Sequence, residues 1–394
     1  MTARAFGFRF SLSYALLVIG SGIQLPFLPL WLGARGLSVP QISAVVAALM
    51  LVRVIGAPLF ATIADYSGNR TLVVRGCAIG AFVAYGALSL MTTYPLIMGV
   101  GMAAALLFAP VFPLIEGFSV DSASRLGLDY GRLRLWASLS FLAGSVVSGA
   151  MLTLLPAGAT MYLITAAQGV TVLATYILPP EPPHAPNPRH TSALDLGDAL
   201  KFLFASRFTV FLLAASLANC SHGVLYSISA LHWTTLGFNT FDIGVLWAAA
   251  IIGEVTLFFF SNRVLRSVGV ERMLCIGLFG ATMRWAGMSV ATNFYVIFAL
   301  QLLHAISFAT AHLSLMHFIR LHVPPKLRNT AQGLYTAIAG GLMLSSVSYV
   351  SGPLYARFGG LTFLFTAGLA ALGLGVALYN LVKLSPRVRF AAAT

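Results

Sequence analysis

The sequence predicts an all-α membrane protein of twelve transmembrane helices in two pseudo-symmetric six-helix halves. Three observations carry that reading. The 394 residues are 59% hydrophobic and only 8% charged, whereas a soluble domain carries about 25% charged residues. The apolar residues gather in runs of about 20, the length a helix needs to cross a bilayer. A short pattern also recurs at the same place in each half of the chain.

The runs lie near 10–32, 40–63, 76–94, 95–118, 133–154 and 160–179, then near 207–230, 241–261, 273–291, 294–319, 330–354 and 361–382. Some breaks are very short, such as Thr92-Thr93-Tyr94-Pro95 and Thr292-Asn293. Adjacent helices there form antiparallel hairpins. The segment Pro179 to Arg207 is the long break. It opens with Pro-Pro-Glu-Pro-Pro-His-Ala-Pro-Asn-Pro-Arg, which no helix tolerates. Leu194 to Phe204 suits an amphipathic helix on the membrane surface. The chain therefore divides into an N-terminal half (1–179), a cytoplasmic central loop (180–206) and a C-terminal half (207–394).

The repeat supports this division. Trp31, Gly36, Gln41 and Ile42 lead into Ala47, Ala48 and Arg53. Trp233, Gly237, Asp242 and Ile243 lead into Ala248, Ala249 and Glu254. From Gly36 and Gly237 onward each pair is offset by 201. Duplicated halves with a site between them at mid-membrane are a transporter design.

Charge sets orientation. Of the 23 Lys and Arg, Arg35 and Arg357 fall in loops of one side and Arg53, Arg134 and Arg284 within spans; the other 18 fall on the opposite side. These include Arg70 and Arg75, Arg125 and Arg132, Arg263, Arg266 and Arg272, Arg320, Lys326 and Arg328, and the tail residues Lys383, Arg387 and Arg389. By the positive-inside rule both termini are cytoplasmic. The formal charge of +13 is thus a set of topology determinants, and no continuous basic patch invites nucleic acid. Met1 to Arg9 is short and basic, and the apolar run behind it is too long for a signal peptide. Cys77, Cys220 and Cys275 all lie in apolar runs and suggest no disulfide framework. The chain lacks a Gly-Lys-Ser/Thr phosphate loop, a His-Glu-x-x-His metal site and a Gly-x-Ser-x-Gly nucleophile elbow. ATP-driven transport, a bound metal or other cofactor, and an integral-membrane enzyme are accordingly not expected.

Ionisable groups inside a membrane are costly and call for a reason. Glu254, Arg284 and His304 lie on three successive spans of the second half. Facing one cavity, a carboxylate, a guanidinium and an imidazole can share and pass a proton. The alternative is a static buried ion pair that fixes helix packing. His312 and His317 share a span with His304 and read as packing or interfacial residues. In the first half, Glu116 closes the fourth span and Arg134 opens the fifth. A tight loop between them brings the two side chains together, and the Arg fork suits a ligand carboxylate or hydroxyls. Arg134 is otherwise a positive-inside residue. Phe141, two turns after Arg134, is placed to stack on a substrate. Arg53 stands mid-span with no partner evident from sequence. In the loop Ala61-Thr-Ile-Ala-Asp65-Tyr-Ser-Gly68-Asn-Arg70, Asp65 suits a helix cap or a neighbouring helix end, Gly68 permits a tight turn, and with Arg70 the arrangement reads as a conformational latch.

The Asp65 loop resembles the signature loop of the major facilitator superfamily, with Ala61 where that pattern prefers glycine. Leu128-Asp-Tyr-Gly-Arg-Leu-Arg-Leu-Trp136 resembles a segment shared by the 3-phenylpropionic acid permeases. Ser229-Ala-Leu-His-Trp233, Glu254 to Arg263, Met283-Arg-Trp285 and Leu303-His304 are similar to the same group. More distantly, Pro113-Leu-Ile-Glu116-Gly-Phe118 and Tyr130-Gly-Arg-Leu-Arg134 resemble segments of the lactose permease family of oligosaccharide:proton symporters. That resemblance implies substrate binding by Glu116, Arg134 and Phe141, and proton coupling through Glu254, Arg284 and His304. Two positions depart from it. Ser307 stands where the lactose permease pattern has a Glu that yields the proton, and Gln301 stands where it has a Lys. Coupling then falls to Glu254, or is lost. The resemblance implies a monomeric secondary transporter of a bacterial inner membrane. It would move a small organic solute, an aromatic carboxylic acid first and a sugar or nucleoside next, by proton symport. Export of drugs or metabolites by proton antiport and uncoupled facilitation are the rivals.

Overall fold

The computed structural model describes residues 3–179, 204 and 206–384. The proline-rich break and the expected surface helix, Phe204 apart, lie outside the described residues, as do Arg387 and Arg389.

Among the described residues the protein is helical throughout, and each predicted apolar run is a helix or an interrupted pair of helices. The first half holds span 1 (Ala3–Ala34), span 2 (Val39–Ser67), span 3 (Arg70–Leu88), span 4 (Tyr94–Phe108 continued by Val111–Leu126), span 5 (Tyr130–Leu154) and span 6 (Ala159–Ile177). The second holds span 7 (Ser206–Cys220, then Gly223–Thr235), span 8 (Thr240–Val268) and span 9 (Val270–Met288). It continues with span 10 (Phe294–Leu302 and Thr310–His322 around a π-turn, Ala305–Ala309), span 11 (Arg328–Tyr335 and Leu344–Phe358 around a π-helix, Thr336–Met343) and span 12 (Phe363–Tyr379).

Ten helices among the described residues are long and apolar enough to cross a membrane. One of them, Arg328–Leu384, has 57 residues and holds both spans 11 and 12, broken at Gly359 where φ is 55°. Span 9 falls outside the ten because Glu271, Arg272 and Arg284 all lie in its 19 residues. Large apolar side chains such as Val83, Leu173 and Leu372 point outward along the spans. Water would not tolerate that surface, but lipid does.

The repeat is visible in the helix starts. Span 2 begins with a reciprocal cap in which the Ser38 amide donates to Gln41 Oε1 at 2.9 Å. Span 8 begins the same way, 201 residues later. The Asn239 amide donates to Asp242 Oδ2 at 3.1 Å and the Asp242 amide to Asn239 Oδ1 at 2.9 Å. Such caps satisfy amides that a helix start leaves open.

Between hydrocarbon-coated helices no hydrophobic force operates, so small residues and close packing hold the bundle. Span 5 packs on span 8, and span 2 on span 11. A side chain added at Gly244 of span 8 would collide with the Ser145 carbonyl of span 5. Beside it Thr240 Oγ1 donates to the Gly149 carbonyl at 2.8 Å. On the other seam Ser43 Oγ donates to the Tyr349 carbonyl at 3.1 Å. Both seams lie at the end that carries the turns 35–38 and 236–239, so this end is closed. Toward the other end Arg134 keeps 42% of its side chain accessible although it lines the central cavity. The molecule is open there, and the central cavity lies between.

Candidate functional site

A cavity of about 330 Å³ sits where spans 1, 5, 7, 8 and 10 converge. Its size is that of a small-molecule site. Its walls are aromatic: Phe141 from span 5, Tyr226 from span 7, Trp247 from span 8 and Phe308 from span 10. Tyr226 stacks on Trp247 with centroids 5.9 Å apart, and Trp247 meets Phe141 at 6.5 Å across the two halves. The polar groups of the wall are Arg134, Glu254, His304 and His312.

Arg134 reaches the cavity from the start of span 5. Asp129 caps that helix through the Arg132 amide, and Gly127, with φ at 63°, closes the turn before it. The connection is tight, only residues 127–129 between Val111–Leu126 and Tyr130–Leu154, which meets the condition for Glu116 and Arg134 to come together. Arg134 Nε donates to Glu116 Oε1 at 3.2 Å, and its guanidinium lies 5.1 Å from the centre of the Phe112 ring. The pair is a third or more exposed, so a ligand can compete for it. Glu116 does not itself line the cavity; it sits behind Arg134. Phe141 does line it. It is held by contact with span 1, where Gly22 lies so close to the Phe141 backbone that no side chain would fit.

The second half builds a different polar unit. His304 Nε2 lies 3.5 Å from Glu254 Oε2. Span 8 comes this near to span 10 because residue 253 is glycine: a Cβ there would be 2.6 Å from the Leu302 carbonyl. On the far side of the ring, Arg284 Nη1 lies 3.0 Å from His304 Nδ1. Arginine only donates, so Nδ1 accepts, and the proton of the neutral ring is on Nε2, facing Glu254. Arg284 also donates to Ser307 Oγ at 2.9 Å and to Gln301 Oε1 at 2.5 Å, and its guanidinium lies over Trp285 at 4.4 Å. Arg284 is fully buried. It makes no ion pair among the described residues; its charge is answered by neutral acceptors and, through the His304 ring, by Glu254.

The three residues singled out from the second half therefore form a chain with His304 in the middle, not a direct Glu254–Arg284 pair. Ser307 is an acceptor for Arg284. Two histidines were misjudged or missed. His312 was read as a packing residue, yet it lines the cavity. Its spacing gave a signal, because 304, 308 and 312 share one helix face. His222 was not singled out. It lies at the break in span 7, fully buried, with its ring 5.3 Å from His304 and 5.0 Å from Trp285.

The expected loop 61–70 is shorter in the structure: Asp65 lies in the last turn of span 2, and only Gly68 and Asn69 separate span 2 from span 3. This turn is at the open end, away from the cavity. Gly68 takes the left-handed conformation, with φ at 62°. The cap of span 3 comes from Asn69, whose Oδ1 accepts from the Leu72 amide at 3.0 Å. Asp65 is exposed and makes no hydrogen bond or ion pair among the described residues. Arg70 lies against span 4 near Gly117.

A family model matches residues 8–367. The chain belongs to the MFS_1 like family. It is a multi-pass membrane transporter of the major facilitator superfamily, handling small solutes, and not an enzyme. Among curated relatives it is 26% identical to a probable 3-phenylpropionic acid transporter of Escherichia coli (strain K12), over 89% of this chain and 91% of that one. It is 24% identical to a maltose permease of Geobacillus stearothermophilus, over 94% and 93% of the two chains. Among solved structures it superposes on the nucleoside transporter NupG with a TM-score of 0.81 at 17% identity, covering 96% of this chain and 99% of that one. A D-xylose-proton symporter gives 0.72 at 14% identity, with 98% of each chain covered. At these identities the structures establish the fold, which is the fold expected from sequence.

Proposed function

We propose that this transporter carries a small aromatic carboxylate together with a proton, by alternating access of the two six-helix halves (1–179 and 207–394) about the central cavity. The observation that carries the reading is the charge arrangement around the aromatic walls. Arg134 is balanced by Glu116, and Arg284 is balanced, through His304, by Glu254. Protonating Glu254 leaves one positive charge without an answer in a low-dielectric site. A monocarboxylate entering the cavity restores the balance, and the rings of Phe141 and Trp247 receive its aromatic part. Proton and anion then bind as a unit, which is the requirement for symport.

The similarity to the probable 3-phenylpropionic acid transporter favours the same class of substrate. The Arg134–Glu116 pair also suits hydroxyl groups, so a sugar or nucleoside is the second reading. The molecule acts as a monomer in a bacterial inner membrane, with its termini and open end cytoplasmic. The Asp65, Gly68 and Arg70 loop is the latch that engages when this end closes. Glu254 is the coupling group, because Ser307 cannot hold the proton.

Uptake of labelled 3-phenylpropionate into proteoliposomes, with and without an imposed inward proton gradient, tests this. Gradient-dependent accumulation is expected. Equilibration alone would reduce the protein to an uncoupled facilitator. No entry of this probe, with entry of maltose or a nucleoside, would overturn the carboxylate reading.

A further inference from the structure

We propose that His312 is the proton relay of the cavity, carrying the coupling proton between Glu254 and the open end. The inference deepens the symport reading and rests on Glu254 as the coupling group.

To relay a proton, an imidazole must accept it at one ring nitrogen and release one from the other. Three of the four histidines around this part of the bundle are held in a way that forbids it. His304 has Nδ1 occupied by the Arg284 N–H, and that donor never gives up its proton. His222 has Nδ1 against the Ala218 and Asn219 carbonyls, at 3.1 and 3.2 Å, so its N–H is committed to the backbone. His317 is committed likewise to the Leu313 carbonyl at 3.0 Å. His312 differs. It lines the cavity and makes no hydrogen bond among the described residues, so neither nitrogen is committed to a protein partner.

Its position suits the task. The ring stacks on Phe308 with an interplanar angle of 7°, and Phe308 stacks on His304 at 5°. This column places His312 two turns beyond His304 on span 10, on the side of the open end. Glu254 of span 8 and Arg134 of span 5 share its cavity, the charge of Glu116 of span 4 behind Arg134 also acts on it, and the Tyr335 ring of span 11 lies at 6.4 Å. Glu254, 20% exposed, shares the cavity wall with His312, so a proton leaving it toward the open end can pass through the imidazole.

The step balances simply. The Glu254 carboxyl O–H gives its proton to one nitrogen of His312, directly or over one water. The imidazolium then loses the proton on its other nitrogen to water at the open end. A carboxylate and a neutral imidazole of the other tautomer remain, and a ring flip or proton exchange through cavity water restores the starting tautomer for the next cycle.

The test compares two modes of transport of 3-phenylpropionate in proteoliposomes. Counterflow exchange needs no net proton turnover, whereas gradient-driven accumulation does. For His312→Gln the initial rate of accumulation is expected to fall about tenfold, less than the roughly 100-fold low end of what a positioned proton-transfer group contributes because cavity water can partly replace the ring, with counterflow falling much less. His312→Asp, whose two oxygens can also accept and release, is expected to regain part of the accumulation. If His312→Gln accumulates as fast as wild type, or if both modes fall together in both variants, the relay is overturned. If the wild-type protein itself exchanges without accumulating, the symport reading fails and the relay with it.

Discussion

The two halves of the molecule share a scaffold but spend their polar groups differently. In the first half Tyr85 of span 3 donates to Gln24 Oε1 of span 1 at 3.2 Å, with Arg53 close by. In the second half Trp285 of span 9 donates from Nε1 to Ser221 Oγ of span 7 at 3.0 Å. Both aromatics are fully buried, and both ties join the first and third spans of their half. On this common tie the second half adds a fully buried guanidinium with its histidine and its neutral acceptors. The first half keeps its own ion pair, Arg134–Glu116, accessible at the cavity edge. The comparison teaches a division of labour that symmetry alone would not show. The accessible pair suits a ligand that comes and goes, and the sealed unit suits a charge that must stay.

The comparison is broken most severely by removing the cavity carboxylate that answers the sealed guanidinium through His304. Glu254→Gln is expected to lower gradient-driven accumulation by about 100-fold or more, while counterflow persists. Unimpaired accumulation by this variant would remove Glu254 as the proton carrier. Next in size is stability. Arg284→Ala strips His304, Gln301 and Ser307 of their shared donor, and burial of such unpaired groups costs about 2–4 kcal/mol. Thermal unfolding in detergent should show a large drop in apparent Tm. An unchanged Tm would mean that the guanidinium is not what orders this unit.

Much of this was legible in the sequence, for physical reasons. Twelve apolar runs, a constant offset between Gly36 and Gly237, and a short loop between Glu116 and Arg134 are all local signals. They give the helices, the repeat and the first-half pair. The order of the second-half chain was not legible. Whether Arg284 meets Glu254 or His304 depends on helix rotation, and the π-turn at Ala305–Ala309 shifts that rotation without disturbing hydropathy. The breaks at Ala109-Pro110 and Ser221-His222 were hidden because each lies inside a run long and apolar enough on average to cross the membrane as one helix. His312 was misread because spacing places three rings on one face but does not say that the face is a cavity.

Two smaller effects sharpen the contrast. Arg134→Lys keeps the charge but loses the planar fork. A rise in KM of about tenfold with little change in maximal rate is expected, corresponding to about 1.4 kcal/mol. An equal loss in maximal rate would move Arg134 from binding into coupling. Tyr85→Phe removes only the first-half tie and should cost about 1 kcal/mol, a typical net hydrogen bond, with transport intact. A loss as large as that of Arg284→Ala would show that the first-half tie also guards a charge, that of Arg53.

The central claim is that one proton on Glu254 makes room for one negative charge of the substrate. It is tested most directly by driving 3-phenylpropionate uptake into proteoliposomes with a pH gradient alone and with a membrane potential alone. Equal and opposite charges moving together are electroneutral, so accumulation should follow the pH gradient and ignore the potential. Accumulation driven by an interior-negative potential at equal pH would contradict the claim, because the moving unit would then carry net positive charge.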